Sequence, residues 1–436
     1  MADTATNARR LGLATAIAEV TRSALGASFP LRVRTWDGDV AGPSDGPEIV
    51  VKSPRAVRHV LRSPGRLGLA RAFVAGDLDV DGDLGQALRS CRKYADQVRV
   101  SGPPGFTRWP AMVALAVRLG AIGVPPRKPA EEVSVRGRRN SKGRDRAAIA
   151  HHYDLGNDFY ETILDQSMAY SCAAWSRPAP EQGLAEAQHD KLDLICRKLD
   201  LQPGTRLLDV GCGWGSLVLH AARHHGVLAT GITLSAQQHD FVLARAVELG
   251  VADLVEVRLQ DYRDLSGQSF DAVASIEMGE HVGERNYPTY CALLRDSVRQ
   301  GGRLLVQQMS RDGRSPGGGA FIESYIAPDM TMRPLHRTLE HLEDVGLEIR
   351  AVESLREDYV HTINAWAKRL QDQWDDVLHR FGARQARMWR LYLAGSALAF
   401  EENRMSVHQI LAVRPGGDGR SGFPLGRLAG RAEATR

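Results

Sequence analysis

The sequence predicts an α/β fold, a mostly parallel sheet with helices on both faces, preceded by a small α+β domain. Three observations carry this. Leu207 to Gly215 reads LLDVGCGWG, an apolar strand tipped by an acid and followed by three alternate glycines. Strand and helix signals then alternate from about residue 147, the order that builds a parallel sheet. A stretch rich in Pro, Gly, Arg and Lys, residues 125–145, separates this from what precedes it and reads as a linker.

In chain order, residues 1–25 read as a polar lead into a helix. LRVRTW, the turn signal Asp37-Gly38-Asp39 and EIVVK suggest short strands, and Ser53-Pro54 suggests the start of a helix through Leu61. DLDVDGD, Asp77 to Asp83, opens like a calcium loop but has Leu88 where a bidentate Glu is needed, so it reads as an acidic turn. The predicted strands of the larger domain are RLLDV, LATGIT, LVEVRL, FDAVASI and GRLLVQQM, with helices over Leu217–His225 and Ala236–Leu249 among them. An amphipathic helical region around Trp366, Leu370, Trp374 and Trp389 precedes a last strand, QILAVR. The expected domains are 1–124, a basic linker 125–146, an α/β domain 147–413 and a disordered tail 414–436.

Ligands of such a sheet collect at the carboxyl ends of its strands. Asp209, Gly211, Gly213 and Gly215 are therefore expected around an adenosine-containing cofactor. Two details choose among such cofactors. A dinucleotide turn needs G-x-G-x-x-G, but Ser216 stands at its third glycine, and strand two, LATGITLS, lacks the acid that binds ribose hydroxyls. G-x-G-x-G after an acid-tipped strand points instead to S-adenosylmethionine. Thr233, Leu234 and Gln238 would then meet the ribose, Asp261 and Tyr262 the adenine, and Tyr170 and Ser171 the methionine end.

Composition bounds the remaining possibilities. The chain of 436 residues is 43% hydrophobic and 25% charged, with a net charge of +4. Residues 127–146 carry +5 and 414–436 carry +3, so the rest is slightly acidic. Basic segments of this kind attract phosphates, which suggests contact with a membrane surface. No RNA-binding pattern is visible, and nucleic acid is not an expected partner. The five cysteines form no C-x-x-C pair, which indicates neither a disulfide framework nor a zinc site and suits a reducing cytoplasm. Trp109 to Val124 is the most apolar stretch, too short to span a bilayer and broken by Arg118. A peripheral position at the inner membrane face is the expected location.

HHYDLGNDFYETILDQSMAYSCAAW, LLDVGCGWGSL, GITLSAQQ, LQDYRDL, EMGEHVGERNY and YIAPD occur in this order across residues 151–329. Together they resemble the cyclopropane fatty-acid synthase family, which includes the mycolic-acid methyltransferases. The resemblance implies an S-adenosylmethionine-dependent C-methyltransferase acting on the double bond of an unsaturated, oleoyl-type acyl chain of a phospholipid. It also implies a bound bicarbonate that deprotonates the carbocation, held at positions mapping to Cys172, Glu280, Gln307, Met309 and Tyr359. Gln307 stands where cyclopropane synthases carry His, and Ser396 where members usually carry a Cys regarded as catalytic.

A Gln amide can hydrogen-bond an anion but cannot relay a proton. Together with the Arg- and Ala-rich composition, the altered base pocket points to the actinobacterial tuberculostearic branch of the family. That branch forms a 10-methylene acyl chain, which a separate reductase converts to a methyl branch. The alternatives are cyclopropane formation from the same substrate and, in a different class, a non-catalytic subunit that binds S-adenosylmethionine and lipid. A homo-oligomer is compatible with the chain.

Overall fold

A computed structural model describes residues 11–25, 28–101, 109–133, 137–153, 156–311 and 317–424. The expected disorder of residues 425–436 and the polar lead at 1–10 lie outside the described residues. The chain forms two compact units, one of residues 1–132 with 374–398, the other of 133–373 with 399–436.

The first unit is built on a four-stranded sheet: β1 (Arg32–Thr35), β2 (Val40–Ala41), β3 (Glu48–Val51) and β4 (Leu78–Asp81), in the order β2-β1-β3-β4. The helix Arg55–Arg62 begins one residue after Pro54, and the Ser53 hydroxyl accepts from the Arg55 amide. Most of the expected acidic turn is strand β4. Its carboxylates are committed to protein cations: Asp79 pairs with Lys52 at 2.6 Å and with Arg387 at 2.9 Å. Arg387 also donates to the carbonyls of Phe73 and Leu78. This explains why residues 374–398, read from sequence as part of the larger domain, cluster with the N-terminal unit instead.

The second unit carries a seven-stranded sheet. Its strands are β5 (Arg206–Val210), β6 (Leu228–Thr233), β7 (Val255–Leu259), β8 (Phe270–Ile276), β9 (Val298–Ser310), β10 (Glu348–Ser354) and β11 (Ser406–Val413). The order is β10-β11-β9-β8-β5-β6-β7. Strands β5 to β9 run parallel, while β11 lies antiparallel to both β9 and β10. This is the α/β architecture expected, with β10 added, a half-exposed strand the sequence reading passed over. Apolar residues fill both faces: Leu207, Leu217, Val218 and Val242 on one, Leu208, Val210, Tyr287 and Leu294 on the other. Such strands, buried on both sides, read as continuous Leu/Val runs rather than alternating ones.

The linker expectation needs correction. Residues Lys142–Tyr153 form a helix, and the second unit already begins at Val133. Lys142 pairs with Asp264, Arg144 with Asp329, and Arg139 with Asp329 at 3.1 Å. The basic run is held by acids of its own domain, so much of its charge is already neutralised. The tail also starts later than expected. Phe423 packs on the core of the second unit, with the guanidinium groups of Arg303 and Arg350 over its ring at 4.7 and 4.5 Å.

Candidate active site

The carboxyl ends of β5, β6 and β8 open into one cleft, at the place where the strand order reverses between β5 and β8. Of the residues expected around the cofactor, Tyr170, Ser171, Asp209, Gly211, Gly213, Thr233, Leu234, Gln238 and Tyr262 line it. The glycine turn shapes one wall. Gly213, at φ +55°, has open space where a Cβ would point, so a ligand can approach its backbone closely.

Two expected residues do not line the cleft. Gly215 caps the helix Ser216–His225 in the left-handed region (φ +78°), and a Cβ there would come within 2.7 Å of Val242. Its role is packing between helices. The Asp261 carboxylate receives Arg263 Nε at 2.8 Å and a second guanidinium nitrogen at 2.7 Å. Arg263, which faces the cleft, also reaches Asp145 at 2.9 Å. Asp261 is therefore occupied in positioning an arginine.

Three cleft-lining residues leave buried polar atoms without a protein partner: Asp209 Oδ1, Gln238 Nε2 and Tyr262 Oη. Buried polar groups are rarely left so, and here they await a ligand carrying both donors and acceptors. Gln238 is preset for this, because Thr233 Oγ1 donates to its Oε1 at 2.8 Å while Ser235 caps its helix. Burial pushes the Asp209 carboxyl up to about 7, opposed by Lys191, so a cationic ligand would favour its ionised form. The donors, the acid and the open glycine backbone fit S-adenosylmethionine.

The sequence reading missed Lys191. Fully buried on the helix Leu184–Leu199, it donates to Ser171 Oγ at 2.9 Å and lines the cleft. Burial lowers its pKa, while Glu277, Cys172, Asp165 and Asp209 hold it up. Trp214 was also missed. It stands beside Tyr160 (centroids 4.5 Å apart), which touches Tyr170, which in turn touches Trp366 at 5.3 Å. Aromatic faces of this kind stabilise cations.

The residues mapped to the bicarbonate site meet behind the cleft, but their donors converge on a residue that mapping omitted. Glu277 Oε1 accepts from the Cys172 amide and from Gln307 Nε2, both at 2.8 Å. Its Oε2 accepts from the Tyr359 hydroxyl at 2.6 Å. Gln307 is fixed in turn by Gln409, whose Nε2 donates to its Oε1 at 2.9 Å. The Met309 amide donates to Glu280. The Cys172 and Met309 amides, Gln307 Nε2 and the Tyr359 hydroxyl, four donors that would hold bicarbonate, thus already hold side-chain carboxylates. Glu277 alone of this group lines the cleft. It follows the last residue of β8 and, at φ +52°, occupies a region that non-glycine residues seldom adopt.

Burial raises the pKa of Glu277, and Tyr359, Cys172, Gln307 and Lys191 oppose the rise. Glu280 is pushed up to about 8 by burial and by Glu277, and its Oε2 has no partner. The Cys172 thiol is fully buried, which raises its pKa well above the usual value, as Glu277 does further. It donates to the Ala173 carbonyl at 3.2 Å. These surroundings make a thiolate nucleophile there unfavourable. Ser396 lies in the residues of the first unit and does not line the cleft.

Residues 140–410 match the family model described as mycolic acid cyclopropane synthetase. The chain belongs to this family. It is 39% identical to a probable fatty acid methyltransferase of Mycobacterium tuberculosis over 413 residues, 91% of this chain and 94% of the relative. It is equally similar, at 31%, to two differently named relatives. One is the cyclopropane-fatty-acyl-phospholipid synthase of Escherichia coli K12 (84% of this chain, 88% of the relative). The other is the tuberculostearic acid methyltransferase of M. tuberculosis (89% and 88%). Among solved structures it resembles the mycolic acid cyclopropane synthase CmaA1 complexed with SAH and CTAB. That likeness has a TM-score of 0.57 and 28% identity, covering 61% of this chain and 97% of the synthase. Family members of both product types are thus at the same distance, and identity alone does not choose a product.

Proposed function

We propose that this protein is an S-adenosylmethionine-dependent methyltransferase acting on the double bond of unsaturated acyl chains in phospholipids. We further propose that Glu277, rather than bicarbonate, is its base and that the product is a 10-methylene acyl chain. The observation that carries the reading is the Glu277 carboxylate, fixed by three donors at the cleft wall. When bound, S-adenosylmethionine supplies an electrophilic methyl group. Asp209, Gln238, Tyr262 and the Gly213 backbone would hold it.

An alkene is a weak nucleophile, and its methylation leaves a cation on the acyl chain. Tyr170 and Trp214 offer ring faces to that cation and shield it from water. A hydride shift from the methylated carbon to its cationic neighbour moves the charge onto the methylated carbon. Glu277 then takes a proton from the transferred methyl group, which leaves the exocyclic double bond and a protonated Glu277. Removing a methyl proton before any shift would close a cyclopropane ring, so the order of hydride shift and deprotonation selects the product. Tyr359, Gln307 and the Cys172 amide each donate to the charged form of Glu277 and so favour its return to that form between turnovers.

Contact with a membrane surface has separate support. Val113, Val117, Ile122 and Val124 are all exposed, Ile122 at 74% and Val124 at 83%. No helix among the described residues is long and apolar enough to cross a membrane. This combination suits a peripheral enzyme drawing its acyl substrate from a bilayer. A reductase acting on the methylene product would complete the route to a methyl branch.

The test is turnover on dioleoyl phospholipid vesicles in buffer freed of carbon dioxide. Release of S-adenosylhomocysteine is followed, and the lipid product is resolved by chromatography before and after hydrogenation. Full activity without bicarbonate is expected, as is its loss by a factor of about 10² to 10⁴ in Glu277→Gln. Dependence of the native enzyme on added bicarbonate would overturn the role of Glu277. A product that is cyclopropane alone would overturn the methylene assignment, and binding of S-adenosylmethionine without turnover would favour a non-catalytic subunit.

A further inference from the structure

We infer that the second unit carries a site for a divalent transition-metal ion, built by His189, His220, His224 and Asp193 on two packed helices outside the cleft. The site is independent of the acyl chemistry proposed above, since none of the four residues lines the cleft.

The sequence spacing comes first. HDKLD places His189 and Asp193 four residues apart on the helix Leu184–Leu199, and HAARH places His220 and His224 four apart on the helix Ser216–His225. Residues at this spacing share one helix face, so each helix presents a pair of metal-binding side chains. The fold sets the two pairs against each other. One ring nitrogen from each of His189, His220 and His224 lies within 4.8 Å of the others. The ring centroids are 5.0 Å apart for His189–His220, 5.6 Å for His189–His224 and 4.6 Å for His220–His224. Asp193 adds a carboxylate, with Oδ1 2.9 Å from His220 Nε2 and 3.3 Å from His225 Nε2.

Three imidazoles and one carboxylate are the donors that select zinc, cobalt, nickel or copper over magnesium or calcium. A metal–nitrogen bond of about 2.0–2.1 Å puts tetrahedral ligands roughly 3.3 Å apart. The rings would close from their present spacing by side-chain rotation alone, and two of the histidines, His189 and His224, are exposed enough to turn. His220 is 7% exposed, and its Nε2 already lies 2.9 Å from Asp193 Oδ1, so these two donors stand side by side.

The location gives the site a consequence. Lys191, two residues after His189, lines the cleft, and the helix bearing His220 and His224 begins at the glycine turn. A metal bridging these helices would fasten the two segments that hold the cofactor wall. A ligand that binds only the folded chain raises its melting temperature with concentration.

The test uses the full chain without a histidine tag, stripped with a chelator and then titrated with zinc by calorimetry and with cobalt by visible absorption. One equivalent of zinc is expected to bind and raise Tm, and cobalt should give the strong visible bands of a four-coordinate site. His189→Gln and His224→Gln, both at exposed positions, should each weaken zinc binding at least tenfold while leaving metal-free Tm within a few degrees. No binding at micromolar zinc, or binding unchanged in the His189→Gln/His224→Gln double variant, would overturn the assignment. Cys196, His220 and His225 form an alternative trio that shares His220. Loss of binding in Cys196→Ala, with retention in the double variant, would therefore also count against it.

Discussion

The Tyr359 hydroxyl donates a 2.6 Å hydrogen bond to Glu277 Oε2 across 82 residues of sequence, joining the first turns of the helix Arg356–Asp372 to the end of β8. The bond favours the ionised form of Glu277, so removing it should raise that residue's pKa further. Tyr359→Phe is expected to lower kcat by about tenfold. Its acid limb in a plot of log kcat against pH should also move to higher pH. A fall in kcat with no shift in the profile would reduce Tyr359 to a packing role.

Glu280 offers a prediction about stability. Its folded pKa of about 8 stands above the ordinary 4.5, so the folded chain holds an extra proton between these values. This contribution to stability is full below about pH 4.5 and is lost as pH rises through 8, at about 1.4 kcal/mol per unit of difference. Glu280→Gln mimics the protonated acid and should flatten that slope in denaturant unfolding measured from pH 5 to 8. Glu280→Ala should be the more damaging change, because it strips the Met309 amide of its acceptor.

Asp209 titrates near 7 in the ligand-free protein, as burial favours its neutral form. Binding of cationic S-adenosylmethionine should then tighten as pH rises from 6 to 8. Asp209→Asn should weaken binding about tenfold at pH 8 and remove most of this dependence, as calorimetry would show.

Gly215→Ala separates packing from ligand contact. The new Cβ would meet Val242 at 2.7 Å in a left-handed backbone, a cost of about 2–4 kcal/mol. Tm should drop, whereas S-adenosylmethionine affinity per folded molecule should change little.

Replacing Val117 and Ile122 together by Asp should weaken flotation with anionic vesicles about tenfold. Turnover on detergent-dispersed substrate should be unaffected. Because Arg139 is already paired with Asp329, its neutralisation should matter less to vesicle binding than loss of the apolar pair.

The sequence by itself determined the parallel sheet, the cofactor turn and the family. These rest on local signals: apolar runs ending in Asp209, glycines at alternate positions, and motifs in fixed order. It also located Cys172, Gln307 and Tyr359 as members of one pocket. It did not reveal what they surround, since Glu277 lies 105, 30 and 82 residues from those three partners. A hydrogen bond formed across such separations leaves no periodic trace in the chain. Asp261 went the other way, because its neighbour Arg263 folds back on it. The four ligands of the inferred metal site have readable spacing on each helix, but only packing sets one pair against the other. Tertiary structure alone decided which carboxylate faces the cleft and which is spent on an arginine, because side-chain donors choose partners by proximity in space.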